Sequence, residues 1–179
     1  MNLKTISSVK IEVEQPEDIE AIHKITERAF GRSGEAEVVD QLRQNSPVFL
    51  SYVARMEGRV VGHVLFTPAH IVQGDDWTMS GLGLAPLAVI AEYQGVGIGS
   101  ALCREGLKRI SPEDYPFVIV LGHPGYYPRF GFETASLYGI NCSYEDVPED
   151  CFMIRILNPQ MMEGVSGVAY YRQEFDSVS

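Results

Sequence analysis

Apolar and polar side chains alternate at the start of the chain and then change to a helical period. Residues 9–14, VKIEVE, alternate throughout and predict a half-buried strand. From Pro16 to Phe30 the apolar residues recur at helical spacing, with a proline and acidic residues that suit a first helical turn. The sequence GRSG interrupts this pattern, and residues 35–45 then predict a second, shorter helix.

The middle of the chain returns to strand patterns. Residues 49–72, FLSYVARMEGRVVGHVLFTPAHIV, predict two strands joined by a tight turn at Glu57 and Gly58. Residues 82–90, LGLAPLAVI, are almost wholly apolar, which is typical of a strand buried on both faces. This part of the chain therefore favours a sheet of several strands.

A glycine-rich turn follows and leads into a helix that extends to about Ile110, after which YPFVIVLG predicts another buried strand. In the tail, CFMIRIL and GVSGVAYY predict two more strands. This order of elements predicts an α/β or α+β fold in which helices cover a mixed sheet. The length fits one domain, 1–179, with a motif-bearing core of about 9–135 and C-terminal strands and loops in 136–179.

Composition narrows the choice of partners and location. The net charge of −10 argues against nucleic acid, whose recognition needs a basic face. The apolar stretches are strand-sized, which predicts no membrane span, and the N-terminus lacks the apolar core of a secretory signal. Three cysteines without metal-ligand spacing indicate reduced thiols and no metal. We therefore expect a cytoplasmic protein.

The segment AEYQGVGIGSAL, residues 91–102, has the chemistry of a phosphate-binding turn. Gly95, Gly97 and Gly99 lack the Cβ that keeps an anion away from backbone N–H groups. The helix that follows contributes the positive end of its dipole, and Gln94 and Ser100 add polar side chains.

Two common glycine motifs do not fit this segment. A P-loop ends in a lysine followed by serine or threonine, whereas Gly99 is followed by Ser100 and Ala101. A dinucleotide site has the spacing G-x-G-x-x-G and an acidic residue after the next strand, whereas this chain has G-x-G-x-G, and that strand ends in Leu121-Gly122-His123. These differences disfavour an NAD(P)-dependent oxidoreductase.

The pattern from Gln94 to Gly99, following Leu87-Ala88-Val89, resembles the acetyl-CoA pyrophosphate loop of the GNAT N-acetyltransferase superfamily. The downstream segment LGHPGYYPRFGF further resembles the YhbS-like group of bacterial acetyltransferases. The resemblance implies the GNAT fold, a mixed and mostly antiparallel central sheet that is splayed at the cofactor site, with helices on both faces.

The resemblance also implies a set of cofactor contacts and acetyl-CoA as cosubstrate. The pantetheine arm would bond to backbone groups of the strand before the loop, and the pyrophosphate would bind the loop and the start of the helix. The residues implied are Leu87, Ala88, Val89, Gln94, Gly95, Val96, Gly97, Ile98, Gly99 and Ser100.

The tyrosine position of the family's F-Y-x-x-x-G-F segment falls on Tyr127. A phenol with an ordinary pKa of about 10 keeps its proton at neutral pH and can give it to a departing thiolate, so Tyr127 is implied as the general acid. The alternative is that Tyr126 and Tyr127 are packing aromatics, and we expect this of one of the two. Where the family often has an asparagine, this chain has His123, which we predict either contacts the cofactor or serves as a base for the amine.

Other candidate groups have a simpler interpretation as packing or surface residues. His23, His63 and His70 are predicted on helix or strand surfaces without an obvious partner, and Cys103 is predicted in the core. Glu92 is expected to be a solvated surface acid. The acidic residues of the segment 137–150, namely Glu145, Asp146, Glu149 and Asp150, could attract an amine, but a solvated loop is the simpler interpretation.

The resemblance implies an N-acetyltransferase that moves an acetyl group from acetyl-CoA directly to a primary amine. The acceptor would be a small molecule or a peptide, with no nucleic acid or membrane partner, and a homodimer is compatible with the sequence. A non-catalytic acyl-CoA-binding or regulatory module on the same fold is the alternative.

Overall fold

The computed structural model describes residues 9–178, apart from the side chains of residues 76–78. Residues 1–8, on which part of the secretory-signal prediction depends, lie outside this range. Three α-helices are described, α1 (Ile19–Phe30), α2 (Gly34–Asn45) and α3 (Ile98–Lys108). The strands are β1 (Lys10–Val13), β2 (Leu50–Met56), β3 (Arg59–Gln73), β4 (Asp76–Val89), β5 (Phe117–Leu121), β6 (Glu133–Thr134), β7 (Ile140–Cys142), β8 (Phe152–Ile156) and β9 (Gly167–Tyr170).

Local sequence explains several of these boundaries. A 3-10 turn, Pro16–Asp18, precedes α1, and Gly31 ends this helix in the left-handed conformation, with φ of 71° and its N–H donated to the Glu27 carbonyl. Between β2 and β3, Glu57 and Gly58 both have positive φ, at 49° and 78°. Such a turn matches the twist of the two strands, and the predicted hairpin is confirmed.

The described residues group into two compact units that share the long strands β3 and β4. One unit comprises residues 9–65 and 86–109, together with Val178. In it, β1 pairs antiparallel with β2, from Lys10 opposite Arg55 to Val13 opposite Tyr52. The start of β3 follows β2, and the helices α1 and α2 pack against each other.

The second unit comprises residues 66–85 and 110–177. Within it the strand order is β7-β9-β3-β4-β5-β8-β6. The pairs β3–β9, β5–β8 and β6–β8 are antiparallel, whereas β4–β5 and β7–β9 are parallel. Its core contains Phe117, Ile119 and Phe132, all fully or almost fully buried.

The predicted mixed and mostly antiparallel sheet is confirmed by this pairing. The strands β6 and β7 were not predicted, because two or three residues are too few to establish an alternating pattern. The single-domain organisation stays a prediction. No helix in residues 9–178 combines the length and apolar character needed to cross a membrane.

The prediction that His63 lies on a strand surface is wrong. Its side chain is 0% exposed, and its Nε2 lies 2.8 Å from the Ser51 hydroxyl oxygen. Because Ser51 donates its own proton to Glu14, His63 must donate from Nε2, which leaves Nδ1 as an acceptor. This Nδ1 has no hydrogen-bond partner among the described residues.

The His63 contact belongs to a polar network beneath the helices. Arg43 on α2 binds both Glu14, at 2.6 Å, and Asp40, at 2.5 Å, and Asp40 in turn binds His23 at 2.7 Å. His23 therefore has a partner that the sequence did not indicate, and His70 stacks on Tyr170 with ring centroids 5.4 Å apart. The alternating pattern alone does not reveal these polar partners, because they lie far away in the sequence.

Burial of the His63 ring, with the charge of Arg43 nearby, lowers the pKa of this histidine to about 3. The unfolded chain therefore binds a proton between pH 6.5 and 3 that the folded chain does not bind, so the free energy of unfolding falls as the pH drops below 6.5. For His63 this loss is about 2 kcal/mol between pH 7.5 and 5.

We expect His63→Gln, which removes the titrating group, to make this pH dependence shallower by about that amount. Denaturant unfolding at pH 7.5, 6.5, 5.5 and 5.0 measures this pH dependence of the free energy of unfolding. His123→Gln is the matched control, because it removes an exposed imidazole. A pH dependence in His63→Gln as steep as in the unaltered protein would contradict the buried, neutral histidine.

Candidate active site

The glycine segment forms a turn between β4 and α3. A 3-10 turn, Ala91–Tyr93, follows the strand, and Gly95 and Gly97 then adopt positive φ values of 74° and 92°. Gly97 is the N-cap residue of α3, and no side chain caps the helix there. The two glycines are thus required by backbone conformation, because L-residues with side chains rarely adopt such values.

The start of α3 directs backbone donors away from the helix. The Ala101 N–H donates to the Gly97 carbonyl at 3.0 Å, so the N–H groups of Ile98 and Gly99 have no acceptor within the helix. The first turn, IGSA, carries no acidic side chain that would neutralise the positive end of the helix dipole. These features suit an anion such as a pyrophosphate.

Gln94 has a structural role in this turn. Its Nε2 donates to the Val89 carbonyl at 2.8 Å, which ties the loop to the end of β4. Apart from Gly95 itself and its chain neighbours Gln94 and Val96, no described residue has a heavy atom within 4 Å of the position that a Cβ on Gly95 would take. The loop is therefore open above Gly95, and Val96 beside it is exposed.

The strand β4 continues well beyond its parallel pairing with β5. The register places Leu82 opposite Val118 and ends with Leu84 opposite Val120, whereas β4 itself continues to Val89. Ala88 is 2% exposed, so its side chain belongs to the core, as expected for this strand. Pro86, which has no N–H, lies in the part of β4 beyond this pairing.

Tyr127 lies in a 3-10 turn, Tyr127–Phe130, that follows β5. It is 9% exposed, and its ring packs edge-on against Tyr126 and Phe132 at centroid distances of 5.1 and 5.7 Å. A Cβ on Gly122 would overlap this ring, so the glycine at the end of β5 makes room for the tyrosine. Tyr127 is thus the more buried tyrosine of the pair.

His123 is exposed in the turn between β5 and this tyrosine cluster. Its Nδ1 accepts the Gly125 N–H at 3.0 Å, and its carbonyl accepts the Tyr126 N–H at 2.9 Å. The imidazole thus has a local partner that stabilises the turn, while Nε2 is left for another contact. Whether it contacts a cofactor stays a prediction.

Comparison with known proteins identifies the family. A family model described as an acetyltransferase (GNAT) domain matches residues 10–135. The chain belongs to the GNAT acetyltransferase family. The resemblance that the loop and the segment around Tyr127 indicate is therefore confirmed.

Relatives of this GNAT domain extend over nearly the whole chain. The uncharacterized N-acetyltransferase YhbS of Escherichia coli K12 is 36% identical over 167 residues, which are 93% of this chain and 98% of YhbS. The crystal structure of E. coli YhbS in complex with CoA matches with a TM-score of 0.85 and 34% identity, covering 96% of this chain and 94% of that one. A GNAT family acetyltransferase from Brucella melitensis, solved in complex with acetyl-CoA, matches with a TM-score of 0.74 and 32% identity, covering 94% and 98% of the two chains.

Several reactive side chains of the GNAT domain lie outside the glycine turn and outside the aromatic cluster around Tyr127. Cys103 is fully buried, and burial raises the pKa of its thiol to about 12, which disfavours a thiolate nucleophile. Glu92 is exposed, as expected, and so are the acidic side chains in 145–150. In residues 9–178 no three His, Cys, Asp or Glu side chains come together as ligands of a metal ion.

Tyr171 was missed by the sequence analysis. Its hydroxyl oxygen accepts the N–H of Leu121, the last residue of β5, at 3.0 Å. Burial of the ring raises the pKa of this phenol well above its ordinary value, although the bond from Leu121 opposes that shift. Nothing in the pattern GVAYY distinguishes this tyrosine from the strand residues before it.

We expect Gly95→Ala to lower the free energy of unfolding by about 1 kcal/mol, because its φ of 74° is unfavourable for a residue with a Cβ. Gly95→Asn should cost less, because asparagine tolerates this region. Denaturant unfolding measures both changes. Since an added Cβ meets open space, equal costs for the two variants would show that the loop adopts another conformation in solution.

Proposed function

We propose that this GNAT domain is an acetyl-CoA-dependent N-acetyltransferase that transfers an acetyl group directly to a primary amine. The observation that carries the proposal is the glycine-rich N-terminus of α3. No side chain caps this helix, its first N–H groups have no acceptor within the helix, and the loop is open to a ligand at Gly95. Crystal structures of two relatives that are more than 30% identical, one with CoA and one with acetyl-CoA, support acetyl-CoA as the cosubstrate.

In this proposal the loop binds the pyrophosphate of acetyl-CoA. The backbone N–H groups from Gly95 to Gly99 donate to the phosphate oxygens, and the Ser100 side chain adds a donor. Gln94 acts by fixing the loop to Val89, at 2.8 Å, so its contribution is to hold the backbone in place. The helix dipole favours the two negative charges because the first turn contains no competing carboxylate.

The pantetheine arm then lies along the end of β4. Leu87, Ala88 and Val89 supply backbone groups in the part of the strand beyond its pairing with β5, Val89 through its N–H because its carbonyl accepts the Gln94 side chain. Pantetheine contains two amide groups, which are suitable partners for such backbone groups. Side chains are not needed for this contact, and the burial of Ala88 is compatible with it.

The chemistry needs one nucleophile and one proton donor. The neutral amine attacks the thioester carbonyl, the C–S bond breaks, and the nitrogen loses a proton to solvent water as the amide forms. Tyr127 is the general acid that protonates the departing CoA thiolate, and it regains a proton from solvent before the next turnover. Its tight packing against Gly122 and Phe132 supports this role, because a fixed phenol loses little freedom in the transition state.

The acceptor is an amine of a small molecule or a peptide, and we place the enzyme in the cytoplasm. Cys103, Cys142 and Cys151 are all free thiols, as expected in a reducing compartment. His123 is a cofactor contact or a base in this proposal, acting through Nε2, since Nδ1 accepts the Gly125 N–H.

The pyrophosphate contact predicts a large effect for one substitution of Ser100 and a small effect for another. Ser100→Asp should raise the dissociation constant for CoA about tenfold or more, because the carboxylate repels the phosphates at the helix N-terminus. Ser100→Asn, of equal size and without charge, should change it much less. Isothermal titration with CoA measures both, and equal weakening by the two variants would count against the site.

The acid role predicts that Tyr127→Phe lowers the turnover number about 100-fold while the KM for acetyl-CoA changes little. Tyr126→Phe is the matched control and should keep most of the activity. The assay is thiol release from acetyl-CoA with polyamines, amino acids, aminoglycosides and peptides as acceptors. An unchanged turnover number in Tyr127→Phe would refute the acid role.

The same assay distinguishes the catalytic proposal from its alternative. Thermal stabilisation by CoA, together with no thiol release for any acceptor, would favour a non-catalytic acyl-CoA-binding module. No stabilisation by CoA would contradict both functions.

A further inference from the structure

The N–H of Leu121 faces the β4 side of β5. The neighbouring Gly122 N–H donates to the Cys151 carbonyl at 2.9 Å, just before β8, which lies on the opposite side of β5. Consecutive N–H groups of a strand point to opposite edges, so the Leu121 N–H points to the edge that β4 occupies. Regular parallel pairing would give it a β4 carbonyl as acceptor. Its acceptor is instead the Tyr171 hydroxyl, at 3.0 Å.

The ring of the same tyrosine lies against β4. A Cβ on Gly83 would overlap the Tyr171 ring, so the ring lies directly over the backbone of this glycine. Gly83 immediately precedes Leu84, the last β4 residue in register with β5. One side chain therefore contacts both strands at the position where their pairing ends.

Tyr171 is held firmly in this position. It directly follows β9, in which Tyr170 is paired with His70 of β3. Its ring stacks on Tyr144 at a centroid distance of 6.3 Å and packs edge-on against Phe175 at 5.4 Å. The side chain is 8% exposed, so neither its ring nor its hydroxyl can move without disturbing the core.

The phenol keeps its proton at neutral pH because burial raises its pKa. Its oxygen can accept the Leu121 N–H, and it satisfies a partly buried donor that would otherwise pair with β4. The Leu121 N–H therefore does not need a β4 carbonyl as its acceptor.

We propose that Tyr171 is a positioning residue that ends the β4–β5 pairing and so keeps the end of β4 open for the pantetheine arm of acetyl-CoA. This inference rests on the proposed function. Tyr171 acts through the two strands. Its hydroxyl takes the place of a β4 carbonyl as the acceptor of the Leu121 N–H, and its ring covers β4 at Gly83. Without its hydroxyl, the Leu121 N–H is free to pair with β4, and the strands can close over the contact.

The test compares Tyr171→Phe with Tyr144→Phe in the full-length chain. Tyr171→Phe keeps the ring and removes only the hydroxyl, and we expect it to raise the dissociation constant for CoA about tenfold. Tyr144→Phe removes the hydroxyl of the stacked neighbour and should leave CoA binding unchanged. Titration with CoA well below the melting temperature separates this effect from a loss of stability. If the Tyr171 hydroxyl had a purely structural role, Tyr171→Phe would lower the melting temperature, as Tyr144→Phe can, but would not change the affinity for CoA.

Equal CoA affinity in Tyr171→Phe and the unaltered protein would overturn the inference while the proposed function stands. Failure of the unaltered protein to bind CoA would overturn the proposed function, and the inference with it. If Tyr171→Phe does not fold, a crystal structure of the unaltered protein with CoA decides the matter. The inference expects the Tyr171–Leu121 bond to persist there, and a Leu121 N–H bonded to β4 would overturn it.

Discussion

The strand β4 cannot both pair with β5 along its full length and offer its backbone to a ligand. Its register with β5 ends at Leu84, and the strand continues to Val89 before the glycine turn begins. Each backbone donor and acceptor along that continuation needs a partner if it is buried. In the proposed site the turn, the helix N-terminus and Tyr171 all lie next to this division of one strand into a part that pairs with β5 and a part that does not.

The loop could be predicted from the sequence because its requirements are local. Gly95 and Gly97 need positive φ, and the helix after them supplies the dipole, whatever the rest of the chain does. Tyr127 was predicted for a different reason. The resemblance to the family indicated this residue, whereas its spacing in the sequence alone did not. The structure adds that this ring occupies the space left by Gly122.

The residues that could not be predicted depend on partners distant in sequence. His63 appeared to be a surface residue of a strand because alternation does not reveal what covers a face, and its partner network reaches back to Glu14 and across to α2. Tyr171 bonds a strand residue 50 positions earlier, and no local pattern records such a contact. The short strands β6 and β7 likewise depend on pairing, since their own sequences are too brief to show a period.

The position of Tyr171 late in the chain has a consequence for how the protein is made. The family match ends at residue 135, yet β5 obtains its second neighbour, β8, and its tyrosine partner only from residues 151–171. During synthesis on the ribosome, or in a fragment cut after residue 135, β5 would present an unpaired and strongly apolar edge. Such edges can template association between chains, so we expect the tail to reduce this tendency.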